Sequence, residues 1–108
     1  MRIRIILVGK LRERYLCEGV CEYLKRLRPY ASIKLVELQD EPVPEAFSEK
    51  QLASARQAEA ERILRTITDN EYVVALDIRG TQMSSEELSR WVQERALYGD
   101  SSLAFVIG

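Results

Sequence analysis

The stretch YVVALDIRG, residues 72–80, decides the fold. It begins with an apolar run rich in β-branched residues, which is typical of a strand buried in a parallel sheet. We predict a strand over Tyr72–Ile78 that is closed by Gly80. Ser84 and Glu87 follow at the spacing of a capping box, in which each side chain bonds a backbone amide at a helix start. The segment therefore predicts a strand followed directly by a helix.

The same alternation continues downstream to the last residue. The apolar spacing after Ser84 predicts a helix that ends near Gly99, because glycine readily adopts the left-handed conformation found just past helix ends. A fourth strand is predicted over Leu103–Ile107, followed by Gly108. The helix positions expected to be buried are Leu88, Trp91 and Val92.

Two more strand and helix units precede residue 72. Pro29 stops the first of these helices, since proline lacks the amide hydrogen that a helix needs. The second helix begins at another capping box, Ser48 with Gln51. The predicted elements are a strand over Ile3–Val8 ended by Gly9, a helix over about Glu13–Arg28, a strand over Ile33–Leu38 and a helix from Ser48 to about Ile67.

The order βαβαβαβ predicts one α/β domain over residues 1–108. We expect a mostly parallel sheet with helices on both faces, and strands three and four in its centre because both are almost wholly apolar. Ligands of such sheets bind beyond the carboxyl ends of the strands. The positions of interest are therefore Gly9, residues 76–80 and Gly108.

Composition narrows the class of protein. With 46% hydrophobic and 31% charged residues the chain has the make-up of a soluble globular domain. It carries no apolar run near the roughly 20 residues that cross a bilayer, and no signal-peptide pattern, so we expect a cytoplasmic protein. Cys17 and Cys21 lie one helical turn apart, where disulfide geometry is poor. With no histidine in the chain, we expect no metal site.

Charge is distributed unevenly along the chain. Residues 1–34 hold nine basic and three acidic residues, whereas residues 35–108 hold seven basic and fourteen acidic ones. A basic end is compatible with binding a polyanion through one face. Solvated helix faces with charges balanced elsewhere in the fold explain the same pattern, and this feature alone favours that second interpretation.

Several common chemistries are excluded. Gly9 stands alone after the first strand, so neither a dinucleotide fingerprint nor a P-loop is present. Histidine-dependent catalytic triads are impossible within these residues. Glu86 and Glu87 suit the positive end of a helix dipole and are interpreted as structural. Asp77 interrupts an apolar run at the ligand edge; it either satisfies nearby backbone amides, which we favour, or contributes to a site.

Several segments, in unbroken register, carry a family resemblance. They are residues 5–11 (IILVGKL) with Tyr15 after them, 22–27 (EYLKRL) with Pro29 and Tyr30, 34–37 (KLVE), 61–64 (ERIL), 75–80 (ALDIRG) with 84–86 (SSE), and 105–108 (FVIG). Together they resemble the RlmH family of SPOUT methyltransferases. The last segment is similar to the strand that enters the Gly-Gly loop of that family.

This resemblance implies a fold, a cofactor and a substrate. The fold is a SPOUT sheet whose C-terminal part threads into a trefoil knot, the cofactor is S-adenosyl-L-methionine, and the product is an N3-methylated pseudouridine in large-subunit (23S) ribosomal RNA. Family members are homodimers. The family's cofactor-lining positions match Leu76 and Gly108 here. From the residues alone, Leu76 reads as ordinary core packing, and a glycine at 108 lets a ligand approach the backbone.

The resemblance leaves the catalytic base unnamed. Methyl transfer from a sulfonium needs mainly alignment of the two reactants, so a catalytic base within these residues is not required, and we name none. We expect basic groups near the first helix to contact RNA phosphates without reading its sequence. These groups are Arg12, Arg14, Lys25, Arg26 and Arg28.

The chain departs from the family pattern at its last residue. The family continues with a segment carrying His-Pro, Arg, Glu and Tyr-Arg-Ala elements, which forms the knot and the dimer interface. We therefore expect a fragment or a truncated form that binds S-adenosylmethionine weakly or not at all by itself. One alternative is a non-catalytic RNA-binding or ribosome-binding α/β module. Another is a flavodoxin-like or nucleotide-binding domain, disfavoured by the missing glycines.

Overall fold

The computed structural model describes all residues from 1 to 108 and contains seven elements in the predicted order. The α/β prediction is confirmed, and most element ends agree with the predicted ones to within a residue or two. The elements are β1 (Arg2–Val8), α1 (Arg14–Leu27), β2 (Ser32–Leu38), α2 (Glu49–Thr66), β3 (Tyr72–Leu76), α3 (Ser85–Leu97) and β4 (Ser102–Ile107).

The four strands form one parallel sheet in the order β2-β1-β4-β3. Arg2 is in register with Ser32 on one side and Ser102 on the other, and Leu76 is in register with Ile107. The prediction that β3 is a central strand is wrong, because β3 forms an edge. An apolar sequence indicates that the faces of a strand are expected to be covered, but it does not give the strand order. That order depends on pairing between segments far apart in the chain.

Strand β3 also ends earlier than predicted. The backbone amide of Gly80 donates to the carbonyl of Asp77 at 2.9 Å, and this bond closes a turn over residues 77–80. The apolar side chain of Ile78 suggested a strand, but in the structure it is fully exposed in that turn. Local turn chemistry around an aspartate therefore prevails over apolar character at this point.

Both predicted capping boxes are confirmed. Ser48 Oγ accepts a bond from the amide of Gln51 at 3.2 Å, and Gln51 Oε1 accepts from the amide of Ser48 at 2.8 Å. Ser84 and Glu87 form the same reciprocal pair at the start of α3, with 3.1 and 3.3 Å separations. These bonds satisfy backbone donors that a helix start leaves free.

The end of α3 is a Schellman motif. Gly99 has φ of +92°, in the left-handed region that glycine adopts without strain. The amide of Asp100 donates to the carbonyl of Arg95 at 2.9 Å, and the amide of Gly99 donates to the carbonyl of Ala96 at 3.1 Å. The prediction that Gly99 stops this helix is confirmed.

Helices cover both faces of the sheet, as predicted. Arg4 and Tyr72 lie on opposite faces, because their register partners on β4, Ala104 and Leu103, are adjacent residues. The Arg4 guanidinium donates to the carbonyl of Thr66 at the end of α2 at 2.6 Å, which places α2 on the Arg4 face. On the other face, Arg95 of α3 lies 5.1 Å from the centroid of the Tyr72 ring.

The core is small for a chain of this length. Ile6, Leu103 and Ala104 have no exposed surface, and Ala55 of α2 is 7% exposed. The accessible surface of 8833 Å² exceeds the roughly 6,100 Å² that a compact monomer of 12.4 kDa exposes. The prediction that Leu88 is buried is wrong, since 41% of it is exposed; Trp91 and Val92 are half-buried. The domain thus presents much apolar surface to its surroundings.

The structure also bears on disulfide bonds, metal binding and membrane crossing. Cys17 and Cys21 are both free, and the Cys17 thiol lies 3.1 Å from the carbonyl oxygen of Leu11. No group of three or more histidine, cysteine or acidic residues is arranged to hold a metal ion. None of the three helices combines the length and the apolar character that crossing a membrane requires.

Candidate functional site

The carboxyl edge of the sheet, where the strands end, carries an apolar cleft beside β3 and β4. Leu76 ends β3 opposite Ile107 of β4, so the turn after β3 and the residue after β4 lie next to each other. The cleft has a volume of about 470 Å³. Its lining residues are Ala75, Leu76, Asp77, Ile78, Val106 and Gly108. The two positions selected from the sequence, Leu76 and Gly108, therefore share one cleft.

The walls of this cleft are apolar and exposed. Leu76 keeps 53% of its surface accessible and Ile107 beside it 42%, whereas the faces of parallel sheets are normally covered. No atom lies within 4 Å of the point that a Cβ on Gly108 would occupy.

Asp77 organises the turn at the mouth of the cleft. Its Oδ1 accepts a bond from the backbone amide of Arg79 at 2.9 Å, and the Arg79 side chain lies against the same carboxylate at 3.4 to 3.5 Å. These bonds, the backbone one first, lower the pKa of Asp77 below its ordinary value. The geometry agrees with the favoured interpretation that Asp77 satisfies nearby backbone amides. The carboxylate holds the turn and stays ionised.

A second cleft lies at the carboxyl ends of β1 and β2. It has a volume of about 450 Å³. Gly9 adopts a φ of +98° there, and its amide donates to the carbonyl of Leu38 at 2.7 Å. The charged residues lining this cleft are Lys10, Arg12, Glu37 and Asp40. The structure therefore separates Gly9 from Leu76 and Gly108, although all three lie on the carboxyl edge.

The five basic residues expected to contact RNA fall into two groups. Arg14 and Arg26 form ion pairs along α1 with Glu18 and Glu22, at 3.2 and 3.0 Å. The other three are exposed and make no side-chain hydrogen bond or ion pair. They are Arg12, Lys25 and Arg28. These three carry unpaired charge that a polyanion can engage without first breaking an internal contact.

The comparisons with known proteins agree with the fold. The family described as "Predicted SPOUT methyltransferase" matches residues 1–108. The chain belongs to the SPOUT methyltransferase family. It is 54% identical to the ribosomal RNA large subunit methyltransferase H of Symbiobacterium thermophilum, 48% identical to that of Carboxydothermus hydrogenoformans and 46% identical to that of Enterococcus faecalis. Each match covers all of this chain and 68% of the relative.

The opposite edge of the SPOUT sheet, the amino edge where the strands begin, is closed by an ion pair. Arg4 donates to both carboxylate oxygens of Glu71, with Nε to Oε2 at 2.8 Å, and to the carbonyl of Thr66. The amide and hydroxyl of Thr68 also donate to Glu71 Oε1, at 3.0 and 3.1 Å. Chiefly through the Arg4 bond, the pKa of Glu71 falls to about 2.

Sequence reasoning missed two kinds of residue in this SPOUT chain. Ala75 and Val106 line the apolar cleft and are register partners. Because alternate strand residues face one side, the position of Val106 two residues before Gly108 was a usable signal that both line the same cleft. Arg4 and Glu71 offered no such signal, since they come together only when the sheet forms.

Proposed function

We propose that this SPOUT chain contributes the methyl-donor cleft and RNA-contacting residues of a methyltransferase that acts on large-subunit ribosomal RNA. The product we propose is an N3-methylated pseudouridine of 23S ribosomal RNA, made in the cytoplasm with S-adenosyl-L-methionine as donor. The relatives' names support the substrate class, since a relative that is 54% identical is a ribosomal RNA large subunit methyltransferase. One observation carries the site: Leu76 and Gly108 converge on one apolar cleft at the carboxyl edge.

The lining of that cleft fits one side of S-adenosylmethionine. Leu76, Ile78 and Val106 supply apolar surface for the adenine ring or the methionine arm. Gly108 has no Cβ, so its backbone admits close approach of the polar parts of the donor. When bound, the sulfonium supplies a methyl group that is already electrophilic. The cleft residues fit this group as one wall of its pocket.

The residues of the chain contribute binding and orientation. The apolar wall is expected to exclude water from the side of the donor that it contacts. The turn that Asp77 holds fixes the positions of Leu76 and Ile78. Cations around α1, above all Arg12, Lys25 and Arg28, attract the RNA through its phosphates and do not read its bases. Holding two reactants in attack geometry lowers a barrier by roughly 7–11 kcal/mol, so alignment accounts for much of the rate without a catalytic side chain from this chain.

We also propose that the protein works as a homodimer. The accessible surface of 8833 Å² exceeds that of a compact monomer of the same mass by about 2,700 Å². Large side chains on the outside of the fold make up part of that excess, among them Leu97 at 85% and Tyr98 at 76% exposed. Part of this surface is sufficient for a dimer interface, since a standard interface buries about 800 Å² on each partner. Light scattering of the complete gene product at micromolar concentration is expected to give twice the monomer mass, and a monomer would contradict the proposal.

The test of the proposed reaction uses the complete product of the gene that encodes these residues. Purified large ribosomal subunits that lack the modification are incubated with the protein and tritiated S-adenosylmethionine, and the RNA is digested and analysed by mass spectrometry. We expect one methyl group on N3 of one pseudouridine. The non-catalytic module instead gives salt-sensitive RNA binding with no methyl transfer, which would overturn the enzyme proposal.

A further inference from the structure

A cleft at the amino edge of the sheet belongs to none of the functions described above. It has a volume of about 340 Å³, at the small end of the roughly 300–1,000 Å³ typical of ligand sites. Only one of its nine lining residues is hydrophobic. The nine are Arg2, Ile3, Arg4, Ser32, Lys34, Thr68, Asn70, Glu71 and Ser102.

The sheet register gathers three cations in this cleft. Arg2 and Arg4 lie two residues apart on β1 and therefore face the same side, and Lys34 of β2 is the register partner of Arg4. All three line the cleft, on the face of the sheet that α2 covers. Parallel pairing thus places side by side cations that come from two different strands.

The single acid of the cleft is already neutralised. The carboxylate of Glu71 accepts two bonds from Arg4 and two from Thr68. The side chains of Arg2 and Lys34 make no hydrogen bond and no ion pair in the structure. Once the Arg4 and Glu71 charges cancel, the cleft therefore keeps two positive charges without a counter-ion.

The remaining lining supplies neutral hydrogen-bond donors. Ser32 and Ser102 flank Arg2 as its register partners, and their hydroxyls have no hydrogen-bond partner. The side-chain amide of Asn70 is likewise free of any bond. Two cations with hydroxyl and amide donors match a phosphate group, whose oxygens accept several charge-assisted hydrogen bonds at once.

We propose that this amino-edge cleft binds a phosphate group through Arg2 and Lys34. The phosphate belongs either to the backbone of the RNA substrate or to a small phosphorylated molecule. Strand β1 spans seven residues between this cleft and Gly9, so the two edges lie about 20 Å apart. An RNA phosphate held here anchors a part of the substrate remote from the methylated base, and this arm of the proposal rests on the proposed function.

The test compares two double variants with equal loss of charge. Arg2→Gln with Lys34→Gln removes the free cations of the cleft, and Lys50→Gln with Arg56→Gln removes two exposed cations of α2 outside it. Inorganic phosphate is titrated at constant ionic strength while the backbone amide resonances of Ser32 and Ser102 are followed by NMR. We expect saturable shifts in the wild type and in the α2 variant, and none in the cleft variant.

The RNA arm uses fluorescence anisotropy with a short single-stranded RNA at several salt concentrations. Loss of one phosphate contact is expected to weaken binding by about tenfold in the cleft variant and to lower the slope of log K against log salt by about 0.7. The α2 variant is expected to stay within about twofold of wild type. Shifts with inorganic phosphate but equal RNA affinities in both variants assign the cleft to small phosphorylated molecules.

Two results separate this inference from the proposed function. If inorganic phosphate leaves Ser32 and Ser102 unmoved and both variants bind RNA equally, the phosphate site is wrong and the cleft is an ordinary solvated surface. Calorimetry with sinefungin, a stable analogue of S-adenosylmethionine, measures donor binding at the carboxyl-edge cleft independently of the phosphate site. Donor binding that persists when the cleft substitutions are made in the complete gene product leaves the methyltransferase proposal intact, whereas failure of the unsubstituted complete product to bind the analogue counts against that proposal alone.

Discussion

The two edges of the sheet differ in whether their side chains find contacts within the chain. At the amino edge, Arg4 and Glu71 neutralise each other, and Thr66 and Thr68 complete the bonding. At the carboxyl edge beside β3 and β4, Leu76 and Ile107 remain about half exposed and Ile78 is fully exposed. The Arg4–Glu71 pair therefore finds its partners within these residues, whereas the carboxyl edge keeps exposed apolar surface.

This difference indicates which contacts stabilise the fold and where the methyl donor is expected to bind. An ion pair with full hydrogen bonding fixes the start of the sheet, and its removal leaves a charge without a partner. Exposed apolar residues at the other edge add little to folding until a ligand or a protein surface covers them. Substitutions of Arg4 or Glu71 are thus expected to change mainly stability, and those at the carboxyl edge mainly binding of the methyl donor.

The largest expected effect is at the carboxyl edge. If the cleft holds the donor as proposed, Leu76→Arg replaces part of its apolar lining with a cation, and kcat/KM for methyl transfer by the complete gene product is expected to fall roughly 100-fold. Because Leu76 is 53% exposed, the free energy of unfolding changes by less than about 0.5 kcal/mol. Leu64→Arg, at a 69% exposed position on α2, is the matched control. Equal activities of the two variants would remove Leu76 from the site.

The next effect is on stability at the amino edge. Glu71→Gln leaves the Arg4 guanidinium in a half-buried position without its counter-charge, and we expect the free energy of unfolding to fall by about 2 kcal/mol. The figure is lower than for a fully buried pair because 26% of the Arg4 side chain is exposed. Urea denaturation measures it. The exposed pair of Arg14 and Glu18 is the control, and its removal costs less than about 0.5 kcal/mol.

The same pair predicts how stability depends on pH. The folded-state pKa of Glu71 is lowered from 4.5 to about 2, so its contribution is present above pH 4.5 and is lost as the pH falls toward 2. The difference in unfolding free energy between the wild type and Glu71→Gln is expected to shrink across that window. Urea curves at pH 7, 4.5, 3 and 2 test this. A difference that stays constant to pH 2 contradicts the role of this carboxylate.

The smallest effect concerns the turn after β3. Asp77→Ala removes the bond from the Arg79 amide, and a looser turn is expected to weaken binding of the donor about threefold. Asp77→Asn keeps an oxygen that accepts the same bond, and it should bind like the wild type. Calorimetry on both variants decides the point. If Asp77→Asn is as weak as Asp77→Ala, the charge of Asp77 rather than its turn bond matters at the cleft.

Most of the fold was predictable from local patterns. The capping boxes at Ser48 and Ser84 and the left-handed Gly99 depend on residues within a few positions of each other, and all three predictions are confirmed. Leu76 and Gly108 follow strands, so their meeting at one edge was predictable from the parallel arrangement. Their role toward the cofactor stays a prediction, as does the trefoil knot.

The remaining features depend on pairings that are distant in sequence. Nothing near Tyr72 indicates that β3 lies at an edge, and nothing near Arg4 indicates Glu71 as its partner. The charge count marked residues 1–34 as basic, but only the register of β1 with β2 shows which cations share a cleft. Likewise, the apolar character of Ile78 predicted a strand residue, but the turn that begins at Asp77 places Ile78 outside β3.

The central pair of strands joins the two ends of the described chain. Arg2 at the start of β1 pairs with Ser102 at the start of β4, so this contact closes a loop that contains almost every other residue. During synthesis, β1 leaves the ribosome long before β4 exists, and its apolar residues must wait for that neighbour. The sheet is therefore expected to form slowly, and not before β4 has been translated.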